Sequence, residues 1–199
     1  EGGVEAEQRH RLIGSLDPSG AGRPYHDGGD KIVSSHHVSV TAGGWPAITG
    51  AVHGGSARVA DVAHSGTSFL LPVGEDAPFP TGAPGDSPFE YTGAVVVATE
   101  ADTSVTVAGQ PAVTLAEGEA HLVDGGLQVG DPITASRPVS VYVTLGDVGH
   151  QFEGRLVDLA PTAAWSDRYI TPVTSTNNSS EVARAFLYNP GGSALAVTV

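Results

Sequence analysis

The stretch DPITASRPVSVYV, Asp131 to Val143, decides how this chain is read. Asp131-Pro132 opens it as a turn. Val139, Val141 and Val143 then share one face, and Ser140, Tyr142 and Thr144 the other, which is the period of a half-buried β-strand. An altered copy stands earlier as DKIVSSHHVSVTA, Asp30 to Ala42. Ile32 matches Ile133, Ser35 matches Ser136, Val38 matches Val139, Ser39 matches Ser140 and Val40 matches Val141, each pair 101 positions apart. Self-similarity at a fixed spacing identifies a building unit.

Two further blocks follow in the same order. HGGSARVADVA, His53 to Ala63, matches HQFEGRLVDLA, His150 to Ala160, at an offset of 97, which sets Arg58 against Arg155 and Asp61 against Asp158. SFLLPVG, Ser68 to Gly74, matches RYITPVT, Arg168 to Thr174, at an offset of 100. Drift in the offset is what insertions in surface loops produce. Thr103 to Val107 resembles Ser193 to Val199, so the final strand opens a further unit, and His10-Arg11-Leu12 echoes Ala120-His121-Leu122. The expectation is a window on a longer array. Its first unit spans residues 1–98, its second 99–190, and residues 191–199 form a strand that opens a third unit or is donated to a neighbour. With no methionine in the chain, Glu1 is not an initiator, so either a leader has been removed or the window starts inside a longer chain.

Glycine and proline punctuation without helix-period runs predicts strands joined by turns. Candidate strands are Ile32–Thr41, Arg58–Ala63, Ser68–Val73, Phe89–Ala98, Thr103–Val107, Ala112–Leu115, Glu119–Val123, Ile133–Leu145, Phe152–Leu159, Tyr169–Val173, Val182–Tyr188 and Ala194–Val199. Gly109-Gln110 marks a hairpin, and Ala160 to Asp167 a single helical turn. Each strand has one apolar stripe, which must be buried against another layer. The predicted fold is all-β, as two tandem antiparallel β-sandwich-like units of about 100 residues each.

A net charge of −13 disfavours nucleic acid and anionic membranes as partners. No apolar run reaches the length of a transmembrane helix, about 18 residues. The absence of cysteine rules out disulfides, thiolate metal sites and thiol nucleophiles in this stretch.

Candidate sites are few. Asp17, Asp27 and Asp30 are candidate Ca²⁺ ligands, with Asp124 and Asp131 a weaker set, although neither the EF-hand nor the β-roll pattern occurs. His36-His37 face opposite ways on a strand and have Arg137 and Pro138 as counterparts, so they do not belong to the repeating plan. Arg58 and Asp61 lie three apart on a strand, so Asp61 is expected to cap a turn rather than pair with Arg58. His53-Gly54-Gly55-Ser56 lacks a nucleophile elbow. Asn177 and Asn178 open overlapping glycosylation sequons. Trp45 and Trp165, the only tryptophans, are candidate ligand-binding residues, and Leu195, Val197 and Val199 are candidate assembly residues on the last strand. No paired carboxylates, phosphate loop or triad point to a reaction, and a non-enzymatic role is expected.

Ala98–Val107, Val113–Gly118 and Ile133–Val141 together resemble three strand patterns of the IgGFc-binding-protein N-terminal-type domain, and Tyr188–Val199 looks like the strand that opens another such unit. The resemblance covers about half the chain. It implies an extracellular β-rich repeat protein with a scaffold or binding role, without carrying over immunoglobulin binding. The leading expectation is a secreted or cell-surface structural protein: a segment of a stalk, filament or matrix that associates with itself or with neighbouring repeats. The alternative is an adhesin-like module for a glycan, mucin or host surface protein.

Overall fold

The computed structural model describes residues 31–44, 55–77, 87–146, 155–171 and 185–198. Nine strands appear in them: β1 (Thr41–Gly44), β2 (Gly55–Arg58), β3 (Gly66–Leu70), β4 (Tyr91–Ala98), β5 (Thr103–Val107), β6 (Val113–Leu115), β7 (Ala120–Val123), β8 (Pro132–Gly146) and β9 (Arg155–Leu159). The helical content of the described residues is two 3-10 turns, Val62–His64 and Thr162–Ala164. The chain is therefore all-β, as its turn punctuation predicts.

Seven of these strands form one antiparallel sheet around β8. Along its first half, β8 pairs with β5 (Val107 opposite Ile133) and with β3 (Phe69 opposite Ile133). Along its second half it pairs with β4 (Val96 opposite Val141) and with β9 (Leu159 opposite Val141). Two partners at one residue must lie on opposite sides, so both edges of β8 are occupied in each half. The halves meet at Arg137-Pro138. Pro138 has no N–H for a ladder, and its carbonyl instead accepts from both the backbone N–H and the hydroxyl of Thr99, at 3.3 and 2.6 Å. β6 extends the sheet beyond β5 and β7 extends it beyond β4. The sheet curls until these two strands approach each other, which makes it nearly a barrel.

Alternation places the core. Ile133, Val139, Val141 and Val143 of β8 point inward with Ala94, Val96 and Ala98 of β4, Val105 and Val107 of β5, and Phe69, Leu71, Leu115 and Leu127. β4 is buried or half-buried at every position, as its unbroken apolar run predicts. The two buried threonines are satisfied locally: Thr92 Oγ1 donates to the Phe89 carbonyl at 3.1 Å and Thr103 Oγ1 to that of Glu100 at 2.6 Å. Gly74 is required by proximity, because a Cβ there would sit 2.3 Å from the Gln128 backbone carbonyl carbon. Between β5 and β6, Ala108 and Gly109 take φ of 48° and 71°, the left-handed pair of a type I′ turn.

β1 and β2 form a separate two-stranded ladder that repeats the geometry of β8 and β9. Thr41, Ala42, Gly43 and Gly44 pair with Arg58, Ala57, Ser56 and Gly55. Tyr142, Val143, Thr144 and Leu145 pair with Asp158, Val157, Leu156 and Arg155. Every residue of the first ladder lies 101 or 100 positions before its counterpart, and the two 3-10 turns are also 100 apart. This corrects the alignment by letters, which placed Arg58 against Arg155. In the ladders, Asp158 holds the position of Arg58, and Pro161, which makes no side-chain cap, stands before the second turn where Asp61 caps the first. Matching Arg and Asp residues drew the alignment three positions off; the common spacing from strand to turn restores it.

Several predicted strands fall differently. Lys31–Val40 joins no ladder among the described residues, and Ile32–Thr41 contributes Thr41 alone. Residues 169–171, 185–188 and 194–198 are likewise outside the ladders. The strand predicted at Arg58–Ala63 ends at Arg58 and gives way to the first 3-10 turn.

Ile133 and its counterpart Ile32 make the packing testable, being 0 % and 47 % exposed. Ile133→Ala should lower the unfolding free energy by about 2–5 kcal/mol through lost transfer energy and a residual cavity. Ile32→Ala, in dilute protein, should stay within about 0.5 kcal/mol of the parent. Urea titration followed by circular dichroism measures both; equal losses would contradict this placement of the core.

Candidate functional site

Three groupings of side chains are candidates for function. The first lies where β2 and the first 3-10 turn meet β8 and β9. Asp61 caps that turn by accepting from the Ala63 N–H at 2.9 Å, as its sequence position predicts, and also meets His64 Nδ1 at 2.8 Å. The bond to His64 holds the Asp61 carboxyl below its usual range. Ser65 and Ser140 share a hydroxyl hydrogen bond of 2.9 Å. Asp158 keeps much of its surface in solvent, yet loss of water at the junction pushes its carboxyl above the usual range, against the pull of Arg58 and then His64. Burial also raises the Tyr142 phenol, opposed by the Ala60 backbone and reinforced by Asp158.

The second grouping is the loop from Asp124 to Asp131. Its carboxylates and those of the 74–77 turn brace backbone N–H groups. Glu75 Oε1 accepts from Gly126 at 2.6 Å and Thr92 at 3.2 Å, Asp76 from Val129 at 2.7 Å, and Asp131 from Gln128 at 2.8 Å. Tyr91 donates to Asp124 at 2.8 Å. Burial first, and then Asp124, raises the Tyr91 phenol and keeps it protonated. Asp124 and Asp131, the weaker calcium candidates, thus serve as loop braces. No group of three or more His, Asp or Glu able to hold a metal ion occurs among the described residues. Asp17, Asp27, Asp30, Trp45, Asn177, Asn178 and Val199 lie outside the described residues.

The third grouping joins the 185–198 segment to the sheet body. Phe186 meets Phe89 edge-on, with ring centroids 4.8 Å apart, and Tyr188 meets Trp165 edge-on at 6.2 Å. The Tyr188 hydroxyl lies over Gly130, 2.7 Å from where a Cβ would stand; φ of +87° there also favours glycine. Trp165 is half-buried, and its indole N–H donates to the Ala160 carbonyl at 3.4 Å. Beyond this anchor, Asn189 closes a turn by donating to the Ser193 carbonyl at 2.7 Å and accepting from the Gly191 N–H at 2.9 Å. Leu195 and Val197 then stand 68 % and 59 % exposed.

The predicted assembly residues Leu195 and Val197 are thus on the surface, whereas Trp165 is taken up in holding the segment that carries them. Reading the sequence by residue type missed Ile32, Val33, Tyr169 and Ile170, all exposed apolar or aromatic groups. The signal was available in the repeat, since Ile32 and Tyr169 are counterparts of the core residues Ile133 and Phe69. Comparison with family models, with curated proteins and with solved structures finds no match.

The Asp158 carboxyl gives a pH test. Its folded pKa is raised, so the folded state holds the proton more tightly than the unfolded chain. The cost to stability is absent below the unfolded value of 3.8, grows as pH rises through the folded value, and is complete above it. Asp158→Asn should therefore melt at a higher temperature than the parent at pH 7, the difference shrinking toward pH 4 and below. Thermal melts at matched ionic strength would show this; a gain that is the same at every pH would assign the effect to something other than ionisation.

Proposed function

We propose that this protein is a secreted or cell-surface structural protein, a segment of a stalk, filament or matrix built from tandem β-sandwich-like units. The single observation that carries the reading is the recurrence of one hairpin and 3-10 turn at offsets of 101 and 100 in ladder register. Quasi-one-dimensional arrays are stabilised by contacts between neighbouring units. Packing of β2 against β9 is a contact of that kind. The resemblance to IgGFc-binding-protein N-terminal-type domains supports the same role, as does the prevalence of carboxylates that brace loops.

In this reading the strand Ala194–Val199 completes the sheet of a neighbour by β-strand addition, a mode in which backbone hydrogen bonds supply affinity and alternate side chains supply fit. The glycan-binding alternative draws less support, because the Trp165 indole packs edge-on with Tyr188 and bonds the Ala160 carbonyl.

Electron microscopy of the purified protein should show fibres or strings with a regular axial repeat. A net charge of −13 opposes association, so assembly should strengthen as ionic strength rises from about 10 mM to about 150 mM and the screening length falls below about 10 Å. Deleting Gly191–Val199 should abolish assembly in size-exclusion chromatography while the β-sheet circular dichroism persists. Monodisperse particles at every salt concentration would overturn the structural reading.

A further inference from the structure

Three exposed stretches of this chain are counterparts of three strands that pair in the sheet. Lys31–Ala42 corresponds to Pro132–Val143 of β8 at an offset of 101, and Ser166–Ile170 to β3 at an offset of 100. At the offset of the ladders and turns, Ala194–Thr198 corresponds to Ala94–Ala98 of β4, which replaces the match by letters to Thr103–Val107. The last equivalence is supported by Phe89 and Tyr91, which precede Ala94 as Phe186 and Tyr188 precede Ala194, with three residues more in the second interval. The counterparts differ in burial. Phe69 is 1 % exposed and Tyr169 70 %; Ile133 is 0 % exposed and Val33, beside its counterpart, 80 %. The same apolar pattern that builds the sheet core is thus left in solvent in three places.

From this equivalence we infer that residues 31–42 of one copy are the acceptor strand for residues 166–170 and 194–198 of a second copy, in the register of β8 with β3 and β4. This names the partner and the pairing for the assembly proposed above and rests on that reading. The β3–β8 ladder sets Ser68 opposite Thr134 and Phe69 opposite Ile133, which translates to Arg168 opposite Val33 and Tyr169 opposite Ile32. The β4–β8 ladder sets Val97 opposite Ser140 and Val96 opposite Val141, which translates to Val197 opposite Ser39 and Ala196 opposite Val40. β2 holds one edge of β1 as β9 holds one edge of β8, leaving the other edge for the β4 counterpart.

A second copy is the occupant because one copy holds these stretches in solvent, with no ladder between them among the described residues. The aromatic anchor holds the donor on its own body while Leu195 and Val197 stand exposed, so the donor is tethered before it pairs, which lowers the ordering cost of pairing. Donor and acceptor are different surfaces. The contact is therefore heterologous, and repeating it gives an open filament or a ring.

The chain has no cysteine, so engineered disulfides report the register without background. Directly opposed residues on antiparallel strands bring Cα atoms within about 4.5–5.5 Å, inside the disulfide range. Arg168→Cys and Val33→Cys are made as separate chains and mixed at a salt concentration where the parent assembles, in a glutathione redox buffer. The expected result is a covalent dimer in the mixture that neither chain forms alone, and its loss when Ser34→Cys, facing the other way, replaces Val33→Cys. Val197→Cys with Ser39→Cys is a second, independent pair, and the double variant Ser68→Cys/Thr134→Cys is the intrachain control. If the double variant Arg168→Cys/Val33→Cys closes only within one chain, the second-copy pairing is overturned. If parent assembly is seen by microscopy but neither pair crosslinks while the control does, the register is overturned and the structural reading stands. If the parent never assembles and neither pair crosslinks, both fall.

Discussion

Everything in the sheet depends on β8 having both of its edges hydrogen-bonded along both of its halves. Four strands meet its fifteen residues, and two more reach the sheet only through β5 and β4. A strand so placed must be apolar on its inner face and tolerant on its outer one. Ile133, Val139, Val141 and Val143 meet the first demand, and Ser140, Tyr142 and Thr144 the second. Pro138 sits at the join of the halves, just beyond the last pair of the β4 ladder, Ala98 with Val139. The nearly closed sheet follows, because strands that pair at different ends of one long strand must wrap around it.

What the sequence discloses about this sheet depends on how much of each strand's environment is local. β4 was legible because burial on both faces leaves an unbroken apolar run, and β5, β6 and β7 because short alternating runs are cut by Gly109, Gly118 and the prolines. The Asp61 cap and the single turn after Ala160 were legible for the same reason, since caps and 3-10 turns involve neighbours in sequence. The stretches 31–40, 169–171 and 194–198 were read as strands from the same alternation, and no ladder takes them up among the described residues. Alternation records a strand's need for partners and does not reveal which partner meets it. Trp165 shows a different limit: a tryptophan in a loop-like stretch can also serve a contact within the fold, and the indole's partners, Ala160 and Tyr188, declare themselves only in three dimensions.

Among the described residues, several polar groups that invite a metal-binding reading have structural tasks. Glu75, Asp76 and Asp131 accept from backbone N–H groups that would otherwise lie under the 124–131 loop without partners. Asp61 ends a turn. Asp158 is the exception in energetic terms, since desolvation there outweighs the attraction of Arg58 and His64. A carboxyl held at a cost marks the place where one repeat counterpart, Arg58, approaches the other, Asp158. Arg58 and Asp158 hold equivalent positions in their hairpins, so the junction sets opposite charges together where strict repetition would set like ones.

The exposed stretches raise a harder physical question, because a chain this acidic resists association and yet leaves branched and aromatic side chains in water. The two features answer each other. Unpaired extended segments rich in valine, isoleucine and tyrosine are a hazard for indiscriminate edge pairing, and net negative charge raises the cost of every such encounter. A pairing that buries several apolar side chains in register regains roughly 1.5–3 kcal/mol for each large side chain fully buried, while a slip of one residue turns those side chains back to solvent. Charge thus subtracts about equally from all encounters, and burial adds only to the one whose alternation matches. The short apolar stripe and the acidic surface together favour a single strand partner over many, which neither would do alone.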